Sequence, residues 1–318
     1  HKNLGITLRD IGQLDNAVDS LNNAIAIDPN YVDAHYNLAI TLKDLNHLDK
    51  AVKSYNKVIE LNPNFVQAHN NLGNIYKDLE QSESAIQSYT KAIEIKPDFA
   101  HAHNNLGNAF KDLENYKDAI KSYKKAIAIN PKFSEAHNNL GSIFNDLKQH
   151  DKAIDAFEKA IALKSNFAEA HNNLGNSLRG LGRFDGAVKY YKQAIDLKPD
   201  YYLAHNNLGL VLMGLGEINK AISCFKTAIS IKPDYAEAHN YLGNAFNILG
   251  KIKKGAKCYE KAIEINPKFA EAYNNLGNML KKLKEINKAH LCYKQAISIK
   301  PDMDFLFGTL LNNKMNLA

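Results

Sequence analysis

Cysteine is scarce, at three of 318 residues. Three is an odd count, and it does not build the disulfide framework of an oxidised secreted scaffold. Long apolar runs are missing too: none approaches the roughly 20 residues needed to cross a bilayer. No stretch has the pattern of a secretory leader, although the chain begins at His1 rather than Met, which points to a fragment or a processed chain. A phosphate loop, a nucleophile elbow and a metal-binding motif are all absent, so no catalytic site, metal or cofactor is expected. Apolar residues make up 45% and charged residues 23%, ordinary for a soluble protein, and a cytoplasmic location is expected.

Proline is also sparse, and its placement is informative. The eight prolines stand at 29, 63, 97, 131, 199, 233, 267 and 301, a spacing of 34 with one double gap, and Ser165 fills the missing slot. An aromatic follows two residues later at Tyr31, Phe65, Phe99, Phe133, Phe167, Tyr201, Tyr235 and Phe269. Such self-similarity is the mark of a repeat protein.

With proline as position 32, complete units start at residues 32, 66, 100, 134, 168, 202, 236 and 270, and residues 1–31 are positions 4–34 of an earlier unit. Position 7 is leucine in every unit, from Leu4 to Leu276. Position 8 is glycine except at Ala39, position 20 alanine except at Gly255, and position 24 aromatic except at Leu21. Each unit therefore reads as two amphipathic helices, A and B, with small residues where the two approach closely. One such pair cannot bury its apolar face alone, so neighbouring pairs must stack.

The pattern resembles the tetratricopeptide repeat (TPR) family over residues 1–303. The family's aromatic at position 4 is here His in eight units and Tyr273 in the ninth. The resemblance implies an all-α, right-handed solenoid of helix pairs, with one truncated repeat (1–31), eight complete ones (32–303) and the A helices on the concave side.

At 100° per residue, positions 4, 7, 11 and 14 of helix A share the apolar side. Position 9 sits opposite, flanked by 2, 5, 6, 12 and 13. Position 5 is Asn70, Asn104, Asn138, Asn172, Asn206, Asn240 and Asn274. Position 6 is Asn3, Asn37, Asn71, Asn105, Asn139, Asn173, Asn207 and Asn275. Position 9 is Asn74, Asn108, Asn176, Asn244 and Asn278, with Ser142 close in character. Position 12 adds Lys43, Lys77, Lys111, Arg179 and Lys281, and position 13 adds Asp44, Asp78, Asp112 and Asp146. An amide offers two donors and an acceptor. Spaced regularly, amides can pair with the backbone of an unstructured polypeptide without reading its side chains. The candidate peptide-binding set is the asparagines of these three positions from Asn70 to Asn278, with Lys77, Lys111 and Arg179. The position-6 asparagines have a second use open to them, hydrogen bonding to a neighbouring repeat.

Other clusters look chemical and read as structural. The position-4 histidines (1, 35, 69, 103, 137, 171, 205 and 239) fall one per repeat. Helices pack at ~8–10 Å, too far apart for nitrogens that must share one ion at ~2 Å. Cys224, Cys258 and Cys292 are likewise one repeat apart, beyond disulfide reach. Net charge is +6, and residues 251–288, with ten lysines against four glutamates, carry all of it. That segment reads as a solvated outer face, or as a dock for an acidic partner. Neither nucleic acid nor membrane is expected as a partner.

Residues 304–318 leave the repeat and suit a capping helix or the start of a linker. The wording DFLFGTLLNNKM (304–315), and the Asn-lined helices before it, are similar to bacterial proteins of the O-linked N-acetylglucosamine transferase and SPINDLY-like group. That resemblance implies a substrate-recruiting arm of a larger glycosyltransferase whose catalytic domain lies beyond this chain. The alternatives are a stand-alone assembly scaffold, which could self-associate, and an adaptor for acidic C-termini. The last needs Lys at position 5 with Asn at position 9, whereas Lys2 stands with Ile6.

Overall fold

The computed structural model describes residues 1–301; the tail expected to cap or link, 304–318, lies outside them. The described residues are all-α and contain no strand. They fall into two compact units, His1–Leu147 and the chain from Lys148 onward.

In the first unit α1 (Lys2–Asp10) pairs with α2 (Leu14–Ile27), α3 (Val32–Asp44) with α4 (Leu48–Leu61), α5 (Val66–Asp78) with α6 (Ser82–Ile95) and α7 (Ala100–Asp112) with α8 (Tyr116–Ile129); α9 (Ser134–Asp146) closes it. The second unit opens with α10 (His150–Leu163). Its pairs are α11 (Ala168–Gly180) with α12 (Phe184–Leu197), α13 (Tyr202–Gly214) with α14 (Ile218–Ile231), α15 (Ala236–Ile248) with α16 (Ile252–Ile265) and α17 (Ala270–Lys282) with α18 (Ile286–Ile299). In each unit every B helix also packs on the A helix that follows it. The expected stacking of incomplete apolar faces thus holds within each unit.

The small residues have a direct use. A Cβ built on Gly107 would lie 2.6 Å from the Tyr123 ring, and Gly73, Gly175, Gly243 and Gly277 stand likewise against Tyr89, Tyr191, Tyr259 and Tyr293. Position 8 is thus the seat of the position-24 ring, which is why that ring can be fully buried. The position-20 alanines, such as Ala85 and Ala119, are 0% exposed on the other side of the same contact.

Helix A ends the same way throughout. Position 15 takes a left-handed backbone, and the N–H of position 16 donates back to the carbonyl of position 11, as from His47 to Leu42 (2.8 Å) and Asn115 to Phe110 (2.9 Å). This six-to-one closure satisfies carbonyls that the helix end would leave open. Glycine occupies position 15 at 12, 182, 216 and 250, but Glu80, Glu114, Lys148 and Lys284 hold φ of 56–64° there. A side chain in that region costs about 1 kcal/mol relative to glycine. Replacing these four by glycine together is expected to stabilise the fold by about 1 kcal/mol per site, seen as a higher urea midpoint of unfolding. An unchanged or lower midpoint would show that the turn is not strained.

Position 4 ties each repeat to the loop before it. Nε2 of His69, His103 and His205 lies 2.9–3.0 Å from the carbonyl oxygen of Pro63, Pro97 and Pro199, and His171 reaches Ser165 in the same way. The carbonyl only accepts, so Nε2 carries the proton and donates. Burial pushes the His103 pKa below the ordinary imidazole value, which keeps the ring neutral. These histidines hold the loops between repeats.

Candidate functional site

The polar side of helix A is where the asparagines collect, and the packing of the A helices sorts them into three roles. The position-5 side chains point into the stack. Asn70, Asn104, Asn138, Asn172, Asn206 and Asn240 are all under 10% exposed, and only Asn274 is half-buried. The Nδ2 groups of Asn70 and Asn172 donate to the neighbouring Asn71 and Asn173, at 3.3 and 3.4 Å.

Position 6 links one repeat to the repeat before it. Nδ2 of Asn105 donates to Oδ1 of Asn70 and to Oδ1 of Asn74, both at 3.1 Å. Asn139 does the same to Asn104 (3.1 Å) and Asn108 (3.2 Å), and Asn275 to Asn240 (3.1 Å) and Asn244 (3.3 Å). Asn207 donates to Asn172 at 3.0 Å, and Asn71 to the hydroxyls of Tyr36 and Tyr55. Of the two uses open to position 6, the structure shows the inter-repeat bond. Position 5 was expected to present its amides outward; packing between A helices, which a single helical wheel does not contain, buries them and turns them toward position 6 of the next repeat.

Position 9 is different. Its Oδ1 accepts from the buried position-24 tyrosine: Tyr89 to Asn74 (2.8 Å), Tyr123 to Asn108 (2.7 Å), Tyr191 to Asn176 (2.8 Å), Tyr259 to Asn244 (2.7 Å) and Tyr293 to Asn278 (2.8 Å). In Asn74, Asn108 and Asn244 the same oxygen also accepts from position 6 of the next repeat, which occupies both lone pairs. The Nδ2 groups of these asparagines have no protein acceptor among the described residues. At these asparagines the face therefore shows paired N–H donors and withholds the matching acceptors. The tyrosine–asparagine link was not foreseen, yet a signal for it exists. Where position 24 is Leu21, Phe157 or Phe225, position 9 is Ile6, Ser142 or Leu210, with no asparagine.

Beside the amides runs a row of ion pairs. Lys43 meets Asp78 (3.7 Å), Lys77 meets Asp112 (3.5 Å) and Lys111 meets Asp146 (3.4 Å). Each lysine thus joins the aspartate of the next repeat rather than the one beside it in sequence. All are partly exposed, and such pairs contribute at most ~1 kcal/mol. Lys111 also donates to Ser142 at 2.7 Å, so Lys77 and Lys111 are engaged on the face itself.

The remaining clusters are structural. Among the described residues no group of three or more His, Cys, Asp or Glu side chains could hold a metal ion. Burial raises the thiol pKa of Cys224 and Cys292, and that of Cys258 to about 11, so none is a ready nucleophile. The lysines at 253, 254 and 257 lie exposed on α16, whereas Lys261 pairs with Glu264 of the same helix and Lys288 with Glu285, the residue just before α18. Lys2, the residue an acidic-terminus clamp would need, is held by Asp33 at 3.5 Å. No described helix is long and apolar enough to cross a membrane.

Comparison with known proteins agrees with this architecture. The family model described as TPR repeat matches residues 5–46, 41–80, 73–114, 107–146, 175–216, 213–250 and 243–284. The one described as tetratricopeptide repeat matches 134–167 and 270–303. No curated protein matches. Among solved structures, Cut9 in the APC/C hetero-tetramer Cut9–Hcn1 is similar over 95% of this chain and 59% of its own, at 18% identity and a TM-score of 0.68. MamA is 32% identical over 51% of this chain and 95% of its own, with a TM-score of 0.47. YrrB, described as a TPR protein with an unusual peptide-binding site, is 24% identical over 59% of this chain and 96% of its own, also at 0.47.

Proposed function

The chain belongs to the tetratricopeptide-repeat family, and from that premise we propose that it is a binding scaffold whose helix-A face holds an extended polypeptide by its main-chain carbonyls. The observation that supports this reading is the position-9 amide, with Oδ1 occupied inside the protein and Nδ2 left to donate. An unfolded chain carries one strong acceptor per residue whatever its sequence. A surface of donors with few acceptors suits those carbonyls and reads no side chain. Neighbouring A helices lie about 8–10 Å apart and an extended chain rises about 3.3 Å per residue. One rung would thus meet roughly every third residue. Binding of this kind is broad in sequence, since each rung contributes only ~0.5–1.5 kcal/mol.

The chain itself supplies the substitution for a test. Ile40 already stands at position 9 below Tyr55, whose hydroxyl instead accepts from Asn71 at 3.4 Å. Changing Asn74, Asn108, Asn176 and Asn244 to isoleucine together is expected to keep the helical circular dichroism signal. Binding of a labelled, unstructured Gly- and Ser-rich polypeptide should weaken at least about 30-fold by fluorescence anisotropy. Unchanged affinity in the folded variant would sink the proposal.

The finer reading makes this scaffold the substrate-recruiting arm of a larger glycosyltransferase. Its support is the wording of residues 304–315. Sequencing the gene past the codon for Ala318 separates this from a stand-alone scaffold: a glycosyltransferase domain supports the arm, and an early stop codon removes it.

A further inference from the structure

One repeat of the second unit keeps its position-5 and position-6 asparagines but departs from the pattern at positions 9, 12 and 24. In the unit starting at Tyr202, position 9 is Leu210, position 24 is Phe225 and position 6 of the next repeat is Tyr241. In three other repeats these places hold a hydrogen-bonded Asn–Tyr–Asn set: Asn74, Tyr89 and Asn105; Asn108, Tyr123 and Asn139; Asn244, Tyr259 and Asn275. The ion-pair row changes as well. Met213 stands in the lysine register and Ile248 in the aspartate register of the repeat after it. Those two registers are neighbours here too, since Lys282 donates to Asn247 at 2.9 Å one repeat on. Leu203 lies on the same side of α13, two turns before Leu210. Leu203, Leu210, Met213 and Tyr241 are half-exposed and Ile248 is 57% exposed. An apolar patch thus interrupts the amide row and continues the same face.

The interruption leaves a buried acceptor without a donor. Asn206 is 2% exposed and its Oδ1 has no hydrogen-bond partner. In four other repeats (at Asn70, Asn104, Asn172 and Asn240) that oxygen accepts from the position-6 asparagine of the next repeat, where Tyr241 stands here. The Tyr241 hydroxyl has no protein hydrogen-bond partner among the described residues, and the ring instead lies tilted against Phe225 with centroids 5.9 Å apart. A buried orphan acceptor is destabilising. This repeat is the one in which positions 9, 12 and 24, position 6 of the next repeat and position 13 of the next repeat are all apolar or aromatic.

We infer that Leu203, Leu210, Met213, Tyr241 and Ile248 form a side-chain subsite that takes one large aliphatic or aromatic residue of the bound polypeptide. This rests on the main-chain reading of the face: the amide rungs hold the chain in any register, and the subsite selects the register that places an apolar residue over α13. The occupant is an extended polypeptide, because the patch is continuous with the donor row and has the width of one or two repeats. Burying a leucine side chain there favours a leucine-bearing peptide by about tenfold or more.

The test uses the full chain and two labelled peptides of equal length, one of Gly, Ser and Thr only, the other with a single central Leu. Wild type is expected to bind the leucine peptide at least about tenfold more tightly. Two variants restore the common pattern: Met213→Lys with Ile248→Asp, and Leu210→Asn with Phe225→Tyr and Tyr241→Asn. Both should reduce the preference to near one; the Met213→Lys/Ile248→Asp variant should leave the Gly/Ser/Thr affinity within about twofold, whereas the triple variant, which adds one amide rung, should raise it by about 2- to 10-fold. The triple variant should also melt higher, because Asn206 regains a donor. Equal binding of both peptides by wild type overturns the subsite alone. Retention of the preference in both folded variants overturns it as well. Binding of the leucine peptide only would remove the main-chain reading and leave the subsite standing, and binding of neither would overturn both.

Discussion

Replacing Tyr123 by alanine is expected to destabilise the first unit by about 3–5 kcal/mol. The side chain is 0% exposed, and its ring lies where a Cβ on Gly107 would otherwise be. Truncation opens a cavity that the helix backbones of α7 and α8 cannot collapse into, since both are held by neighbours on the other side. It also removes the 2.7 Å hydroxyl bond to Asn108, which in turn accepts from Asn139. A link between repeats is thus weakened together with the core of one. Tyr123→Phe keeps the ring and should cost only about 1 kcal/mol; Phe157 and Phe225 show that the slot accepts a ring without the hydroxyl. Urea unfolding followed by circular dichroism, with amide exchange on α7 and α8, measures both. A loss under about 1 kcal/mol for the alanine variant would mean that the position-24 ring does not hold the pair together.

The second large effect concerns the position-6 asparagines, for which the sequence left two uses open. Asn105→Ala is expected to cost about 1–3 kcal/mol, the penalty for leaving a buried acceptor unsatisfied. Asn70 is 7% exposed, and its Oδ1 accepts from Asn105 at 3.1 Å. Asn74 suffers less, because it still accepts from Tyr89 at 2.8 Å. Adding Asn139→Ala strips Asn104 in the same manner, and the two losses together reach about 2–6 kcal/mol. Thermal and urea unfolding test this directly. The opposite result, unchanged stability with weakened peptide binding, would return position 6 to the ligand. The isoleucine substitutions at position 9 should behave the other way round, with binding lost and the fold kept.

Much of the fold was legible because a solenoid is local. The 34-residue phase of proline, leucine and glycine gives the helix pairs and the turns between them, and the bounds follow from Pro29 onward with one exception at Ser165. Histidine at position 4 could be dismissed as a metal ligand from spacing alone. Its bond to the preceding Pro carbonyl could not be foreseen, because the loop's path across the ring is a matter of three dimensions.

The site divides along the same line. Period and helical geometry by themselves determined that positions 5, 6, 9, 12 and 13 lie away from the apolar stripe, and that asparagine fills the first three. They left open whether Asn105 meets a ligand or a neighbouring repeat, and they did not separate Asn104 from Asn108, since a single helix sees only its own axis. The tertiary structure decided among them. Bringing one A helix against the next puts residues 31 and 35 apart within reach, so Asn105 meets Asn70 and Asn74 while Asn139 meets Asn104 and Asn108. A tyrosine rising from helix B occupies the Asn108 oxygen. What remains to face a partner is one amide nitrogen per rung, and at α13 an apolar patch in its place. An amide is bifunctional until its neighbours choose which half it has left.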